Sequence, residues 1–239
     1  MLKRVLDVIL SGLGLAVVSP LLAMIAFAIK LDSPGPVFFR QNRLGLNGSL
    51  FRIYKFRSMV SDAERRGTRF TVGGDDRITP VGKFLRHTKL DELPQLINVL
   101  LGEMSLVGPR PEVPEYAELF PREFAQVLRV KPGITHRATL RFRNEEKLLA
   151  MADDPTRTYI ESIMPTKMKL YVDSMPHQSV GQDIRTIVAT ILRVGDEMTM
   201  SELPPVAPEL ASVLSVRSGR SQPGSETKAS SLRARQTVA

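Results

Sequence analysis

The stretch RHTKLDELPQLINVL, Arg86 to Leu100, places an acidic pair, Asp91-Glu92, at the head of a short apolar helix and directly after a basic segment. One reading is structural. An Asp at a helix start accepts hydrogen bonds from first-turn amides and suits the helix dipole, and Pro94 fits a first turn. The surroundings suggest chemistry as well. Arg86 lies five residues upstream, and Lys55 and Arg57 close a strand-like run. Arg110 is held between prolines in Gly108-Pro109-Arg110-Pro111. Arginine suits planar, bidentate contact with phosphate, and a helix N-terminus favours anions. Together these residues describe a polyphosphate pocket that also contains two carboxylates. Carboxylates repel phosphate unless a divalent cation bridges them or one of them attacks phosphorus. Mg2+ takes one or two carboxylates plus substrate phosphates, which makes Asp91 and Glu92 candidate ligands. A carboxylate nucleophile forming an acyl phosphate is the second option.

Upstream, Val37 to Arg43 and Leu50 to Phe56 alternate as strands, and Asn47-Gly48 between them is a hairpin turn signal. Asn47-Gly48-Ser49 also spells a glycosylation sequon, but the turn accounts better for those residues. Further upstream, no charge occurs from Val8 to Ile29, close to the ~20 residues a helix needs to cross hydrocarbon. Three readings compete. A signal peptide cleaved after Ala26-Phe27-Ala28 is opposed by the length of the run and by Asp7 at its start. The others are a spanning helix and one that turns back. Ser19-Pro20 sits mid-run, where proline removes a helical hydrogen bond and the serine hydroxyl can satisfy a freed carbonyl. Cations flank both ends, with Lys3 and Arg4 before and Lys30, Arg40 and Arg43 after. Positive charge prefers the cytoplasmic side, so a re-entrant helix with both ends there removes the conflict.

Downstream, Ser61 to Arg66 reads as a short polar helix and TVGGDDRITPVG as loop. Pro121 to Val130 is expected to be helical, KPGITHRATLRFRNEE mixes strand and loop, and Thr158 to Tyr171 is a helix interrupted by Pro165. GQDIRTIVATILRVG is amphipathic, with Ile184, Ile187, Val188, Ile191 and Leu192 on one stripe. That stripe suits core packing or a bilayer surface. From Ser201 the Ser, Pro, Gly and Arg content predicts a disordered basic tail over 201–239.

The chain has 239 residues and no cysteine, which excludes disulfide frameworks, zinc-thiolate sites and thiol nucleophiles. Its three histidines show no metal-ligand spacing. Net charge is +8, and between Arg40 and Arg86 eleven basic residues face four acidic ones. This balance calls for an anionic partner, or reflects a solvated basic face.

Taken together, KRVLDVILSGLGLAVVSPLL, YKFRSM, LDELPQLINVLLGEMSLVGPRP and KPGIT resemble the bacterial sugar transferase family, the monotopic phosphoglycosyl transferases, from about Leu2 to Val194. The resemblance implies an α+β, mostly helical fold. Its parts are a re-entrant membrane helix over 1–31, a cytosolic catalytic domain over 32–200 with a small β-hairpin, and amphipathic interfacial helices. It implies transfer of sugar-1-phosphate from a UDP-sugar to polyprenyl (undecaprenyl) phosphate with release of UMP, the first membrane step of exopolysaccharide, O-antigen or glycan assembly. Asp91 would be the nucleophile, giving an aspartyl-phosphosugar intermediate, and Glu92 would help hold Mg2+. Lys55, Arg57, Arg86 and Arg110 would bind phosphate or nucleotide. Ser19-Pro20 would turn the helix back, and Lys3 and Arg4 would meet lipid headgroups. The expected setting is the cytoplasmic face of a bacterial inner membrane. Bilayer lipid, a second copy of the chain or downstream glycosyltransferases are the expected partners, and nucleic acid is not. Two departures stand out. His136-Arg137-Ala138-Thr139 replaces the family's Gly and aromatic-Ala-Gln stretch after PGIT, which bears on the donor. The chain also begins at the re-entrant segment, as in a minimal form. The contrasting readings are a non-enzymatic membrane-anchored protein that binds nucleic acid or anionic lipid through its basic face, and a secreted basic protein.

Overall fold

Helix α1 (Leu2–Asp32) carries the apolar run, and one of its sides is tied to the rest of the chain along its length. The computed structural model describes residues 2–63, 75–177, 179–192 and 197–204. Asp7, Ser11, Ile25 and Ile29 are buried, at spacings that return to one helix face. Near the N-terminus, the buried Asp7 carboxylate accepts from Ser105 Oγ (2.8 Å) and the Leu106 amide (3.0 Å). Near the C-terminus, Ile25 and Ile29 pack with Phe56 and Leu85. The other side, including Val5, Leu13, Val17, Met24, Phe27 and Leu31, is exposed and apolar.

The break expected at Ser19-Pro20 does not occur, because the helix runs through it. Pro20 cannot donate to the Ala16 carbonyl, and Ser19 Oγ does so instead, at 2.8 Å. Both ends of α1 nevertheless engage the same body.

Strands β1 (Phe38–Leu44) and β2 (Leu50–Phe56) form the expected hairpin, in register from Phe38 opposite Phe56 to Leu44 opposite Leu50. Asn47 and Gly48 adopt positive φ (55° and 77°), which explains that dipeptide as a turn. Helix α2 (Pro80–Thr88) follows, capped by Thr79. The sequence reading extended a loop to Gly82; instead Pro80 occupies a first-turn position and Gly82 lies inside the helix. A Cβ on Gly82 would meet the Ser58 carbonyl at 2.0 Å, so glycine lets α2 seat against the end of β2.

Beyond α2 come a tight turn at Leu90–Glu92 and α3 (Gln95–Leu101). Strand β3 (Ser105–Val107) pairs in parallel with β4 (Gly133–Thr135). Between them lie α4 (Pro114–Ala117) and α5 (Pro121–Val127). Helices α6 (Arg137–Arg141), α7 (Glu145–Ala150), α8 (Pro155–Thr158), α9 (Met164–Ser174) and α10 (Val180–Leu192) complete the body. The interruption expected at Pro165 does not occur: a π-helical stretch (Tyr159–Ile163) leads directly into α9, with Pro165 in the first turn of α9, where its missing donor is tolerated.

Of the two readings of the α10 stripe, core packing is the one that does not hold. Ile184, Val188, Ile191 and Leu192 are exposed, the last two at 74% and 65%, and Thr186 is buried in their place. Residues 197–204 carry a Thr199–Glu202 capping box, and Ser162 Oγ donates to Pro204 O (2.9 Å). Most of the polar helix expected at Ser61 to Arg66, and the tail beyond 204, lie outside the described residues.

Candidate active site

Four backbone features build the site. Lys89 takes a left-handed conformation (φ 61°), ends α2 and redirects the chain into the Leu90–Glu92 turn. The GPRP and KPGIT motifs then form one structure. A Cβ on Gly133 would lie 2.0 Å from the Gly108 amide, and one on Gly108 would lie 2.4 Å from Lys131 O. Only a glycine pair allows this crossing. It is locked by Gly133 N to Pro109 O (2.8 Å) and Gly108 N to Thr135 O (3.0 Å), so the strap carrying Arg110 is fixed against β4. Lys55 comes from β2, in the hairpin.

These elements converge on Glu92. Its Oε1 accepts from Lys55 Nζ (2.7 Å) and Arg110 Nη2 (2.7 Å), and its Oε2 from Arg110 Nη1 (3.2 Å). Burial alone would raise the Glu92 carboxyl, but the bonded Arg110 and Lys55 outweigh burial and hold it well below the usual range. Burial lowers Lys55, and Glu92 offsets only part of that.

Asp91 is different. It is only 8% exposed. It does not cap α3, since Pro94 holds the cap position and no side chain bonds there. Its Oδ1 is buried without a hydrogen-bond partner among the described residues. Burial raises its carboxyl, and neighbouring Glu92 adds to this, while Lys55, Lys89 and Arg86 pull the other way. A carboxylate oxygen that is buried and free of hydrogen bonds keeps its lone pairs available, the condition a carboxylate nucleophile needs.

Arg86, from the last turn of α2, donates to Glu146 on α7. Arg57 is a correction. It is buried, and its guanidinium donates to the carbonyls of Ser33 (2.7 Å), Ile29 (3.4 Å) and Pro34, closing the end of α1, so it is not available to phosphate. Arg4 likewise donates to Val99 O (2.6 Å) and Leu100 O (2.9 Å) at the end of α3 rather than facing headgroups. Half-exposed Lys3 bonds Val107 O (3.1 Å) and Asp183 of α10.

His136 also has a structural role. Its Nδ1 accepts from the Ala138 amide (3.1 Å) as the cap of α6, and its Nε2 meets Ser174 Oγ (3.0 Å). Burial lowers its pKa to about 4, which keeps the ring neutral so that Nδ1 can accept.

Sequence reasoning missed a second charged layer behind Arg110. Lys167 of α9 is 3% exposed, bonds Glu145, and lies over the Phe142 and Tyr159 rings at 5.5 and 5.4 Å. Buried Glu112 pairs with Arg43 (3.8 Å) and accepts from Tyr159 (3.5 Å). No local pattern links residues so far apart in sequence.

Whether the site suits Mg2+ can be judged from its free lone pairs. Asp91 Oδ1 has none of its capacity used, and Glu92 Oε2 accepts one bond. Among the described residues no group of three or more His, Cys, Asp or Glu side chains could hold a metal. Asp91 and Glu92 alone supply too few ligands, so a divalent cation would fit here with substrate phosphate oxygens completing its shell.

This arrangement coincides with a family match. The bacterial sugar transferase model covers residues 1–197. The chain belongs to the bacterial sugar transferase family. It is 47% identical over 137 residues to the UDP-N-acetylgalactosamine-undecaprenyl-phosphate N-acetylgalactosaminephosphotransferase of Aeromonas hydrophila, covering 56% of this chain and 32% of that protein. It is 41% identical over 202 residues to a UDP-glucose:undecaprenyl-phosphate glucose-1-phosphate transferase of Xanthomonas campestris pv. campestris, covering 82% and 39%. An exopolysaccharide production protein of Rhizobium leguminosarum bv. phaseoli is 47% identical over 148 residues, covering 59% and 74%. The chain thus spans about a third of the length of the first two relatives and most of the third. As a bacterial sugar transferase, it places the family's DE pair on the turn between α2 and α3.

Proposed function

We propose that this bacterial sugar transferase moves sugar-1-phosphate from a UDP-sugar to undecaprenyl phosphate through Asp91. The observation that carries the reading is the contrast within the acidic pair, in which Glu92 is bound by two cations and Asp91 is buried with a free oxygen. An Asp91 oxygen attacks the β-phosphorus of the donor. The bond from that phosphorus to the bridging oxygen breaks and UMP leaves. An oxygen of the lipid phosphate then attacks the same phosphorus, the acyl-phosphate bond breaks, and the Asp91 carboxylate is restored. Lys55 and Arg110 stabilise charge on the phosphoryl oxygens, and Arg86 contributes once freed from Glu146. Mg2+, held by Asp91 and Glu92 with the diphosphate, supplies charge neutralisation when bound.

The acceptor explains the surface. A long helix with an exposed apolar side and both ends on one body suits entry into a single leaflet, and the exposed apolar residues of α10 suit the same interface. Cations at both ends of α1 favour the cytoplasmic face of the inner membrane. The relatives' printed names include both N-acetylgalactosamine and glucose donors, so similarity does not select the sugar.

The test uses the protein in detergent with a panel of UDP-sugars and Mg2+ but no lipid. One donor should add the mass of one sugar-phosphate and release one UMP. No adduct and no UMP from a folded sample across the panel would falsify the covalent route. Neither a second copy nor a downstream glycosyltransferase is needed for this chemistry.

A further inference from the structure

We infer that Gln95 is a further catalytic residue, whose side-chain amide donates a hydrogen bond to a phosphoryl oxygen of the group transferred to Asp91; this rests on the reaction proposed above. Gln95 is the first residue of α3 and is 2% exposed. Its Nε2 is buried and has no hydrogen-bond partner among the described residues. The backbone stays right-handed helical through Leu93 (φ −54°, ψ −36°) and Pro94 (φ −60°, ψ −15°). The turns between Asp91 and Gln95 close tightly, with Leu93 N on Leu90 O (3.3 Å) and Leu96 N on Leu93 O (3.1 Å), so the two residues are a little over one turn apart. A buried unpaired donor thus lies four residues along the chain from a buried unpaired carboxylate oxygen.

Packing does not explain this amide. Asn98, three residues further along the same side and 0% exposed, shows what a structural amide looks like here. Its Nδ2 donates to Arg52 O (3.0 Å) and Glu103 Oε2 (2.7 Å), and its Oδ1 accepts from the Tyr54 amide (2.9 Å). Every group of Asn98 helps hold the hairpin to α3. Gln95 leaves its donor unused, at a cost of about 1–3 kcal/mol in a buried site. An apolar residue of the same shape would avoid that cost. The unused donor gains an acceptor when phosphoryl oxygens arrive at Asp91, and a bond that tightens as charge builds on those oxygens favours the transition state over the bound substrate.

The experiment compares wild type with Gln95→Met, which keeps length and volume but removes the donor, and Gln95→Glu, which keeps shape and removes both N–H groups. UMP release is followed in a single turnover over a range of UDP-sugar concentration with Mg2+, alongside thermal unfolding. Both variants should slow UMP release at saturation by roughly 10²-fold, with half-saturation shifted by less than about threefold. Gln95→Met should melt at or above the wild-type temperature. An unchanged rate in Gln95→Met overturns the inference, as does a lower melting temperature in which the rate falls only with the folded fraction. If wild type makes the adduct and the variants match it, this inference alone fails. If wild type makes no adduct with any donor, the proposed function fails and takes this inference with it.

Discussion

The Leu90–Glu92 turn and the first turn of α7 each present two consecutive carboxylates to nearby cations. In α7 both are matched: Glu145 bonds buried Lys167 and Glu146 bonds Arg86. In the turn the two differ. Glu92 takes Lys55 and Arg110, while the buried Asp91 Oδ1 has no hydrogen-bond partner among the described residues. The exception to the rule that buried charge is paired sits where the family motif puts its acidic pair. An unsatisfied charge costs stability, so its persistence argues for function.

The widest expected difference comes from removing the exception. Asp91→Asn should abolish adduct formation, lowering UMP release by roughly 10⁴-fold or more, as measured by quenched-flow product analysis. A non-enzymatic lipid- or nucleic-acid-binding protein would be indifferent to this change, because Asp91 Oδ1 makes no hydrogen bond among the described residues for Asn to lose. The same variant should be at least as stable as wild type near neutral pH. The folded Asp91 carboxyl is raised, so its ionised form weakens the fold above that point, and the weakening disappears as pH falls through its folded value. The lowered Glu92 carboxyl behaves in reverse, adding stability above its unfolded value that is lost as acid protonates it in the fold. Urea unfolding from neutral to acidic pH should therefore show Asp91→Asn and wild type converging.

Breaking the matched member of that pair should act on the fold. Arg110→Met leaves Glu92 with Lys55 alone and should cost about 1–3 kcal/mol in urea, with Glu92 titrating higher by NMR. The α7 pair divides by depth. Glu145→Gln strands the Lys167 ammonium, which is 3% exposed, and should cost about 3–5 kcal/mol by urea unfolding. Glu146 is half-exposed, so Glu146→Gln should change stability by under about 1 kcal/mol. It should also free Arg86 and lower the half-saturating donor concentration a few-fold. Equal destabilisation by the two substitutions would remove the distinction between them.

Much of the site was legible because its parts are local motifs. LDELPQ, GPRP, KPGIT and the basic strand end at Lys55 each carry their residue types in a short span, and Lys55, Glu92 and Arg110 do meet. Arg57 shows the limit. Two residues from Lys55, it reads equally well as a phosphate ligand, yet its guanidinium closes the end of α1. The exposed stripe of α10 shows it again, since the same periodicity serves a core or a bilayer, and only the neighbours distinguish them.

The sequence by itself determined the hairpin, through alternation and the Asn47-Gly48 turn, and the long apolar helix. It also determined the concentration of cations around an acidic pair, because these are properties of near neighbours along the chain. Only the tertiary structure decided which cations face which carboxylate, and that Ser19 repairs the helix at Pro20. It alone revealed the Lys167 layer behind Arg110, and it leaves Asp91 Oδ1 and Gln95 Nε2 without hydrogen-bond partners among the described residues. The carboxylate pairings and the Lys167 layer depend on desolvation and contact among residues tens of positions apart, which no local pattern encodes.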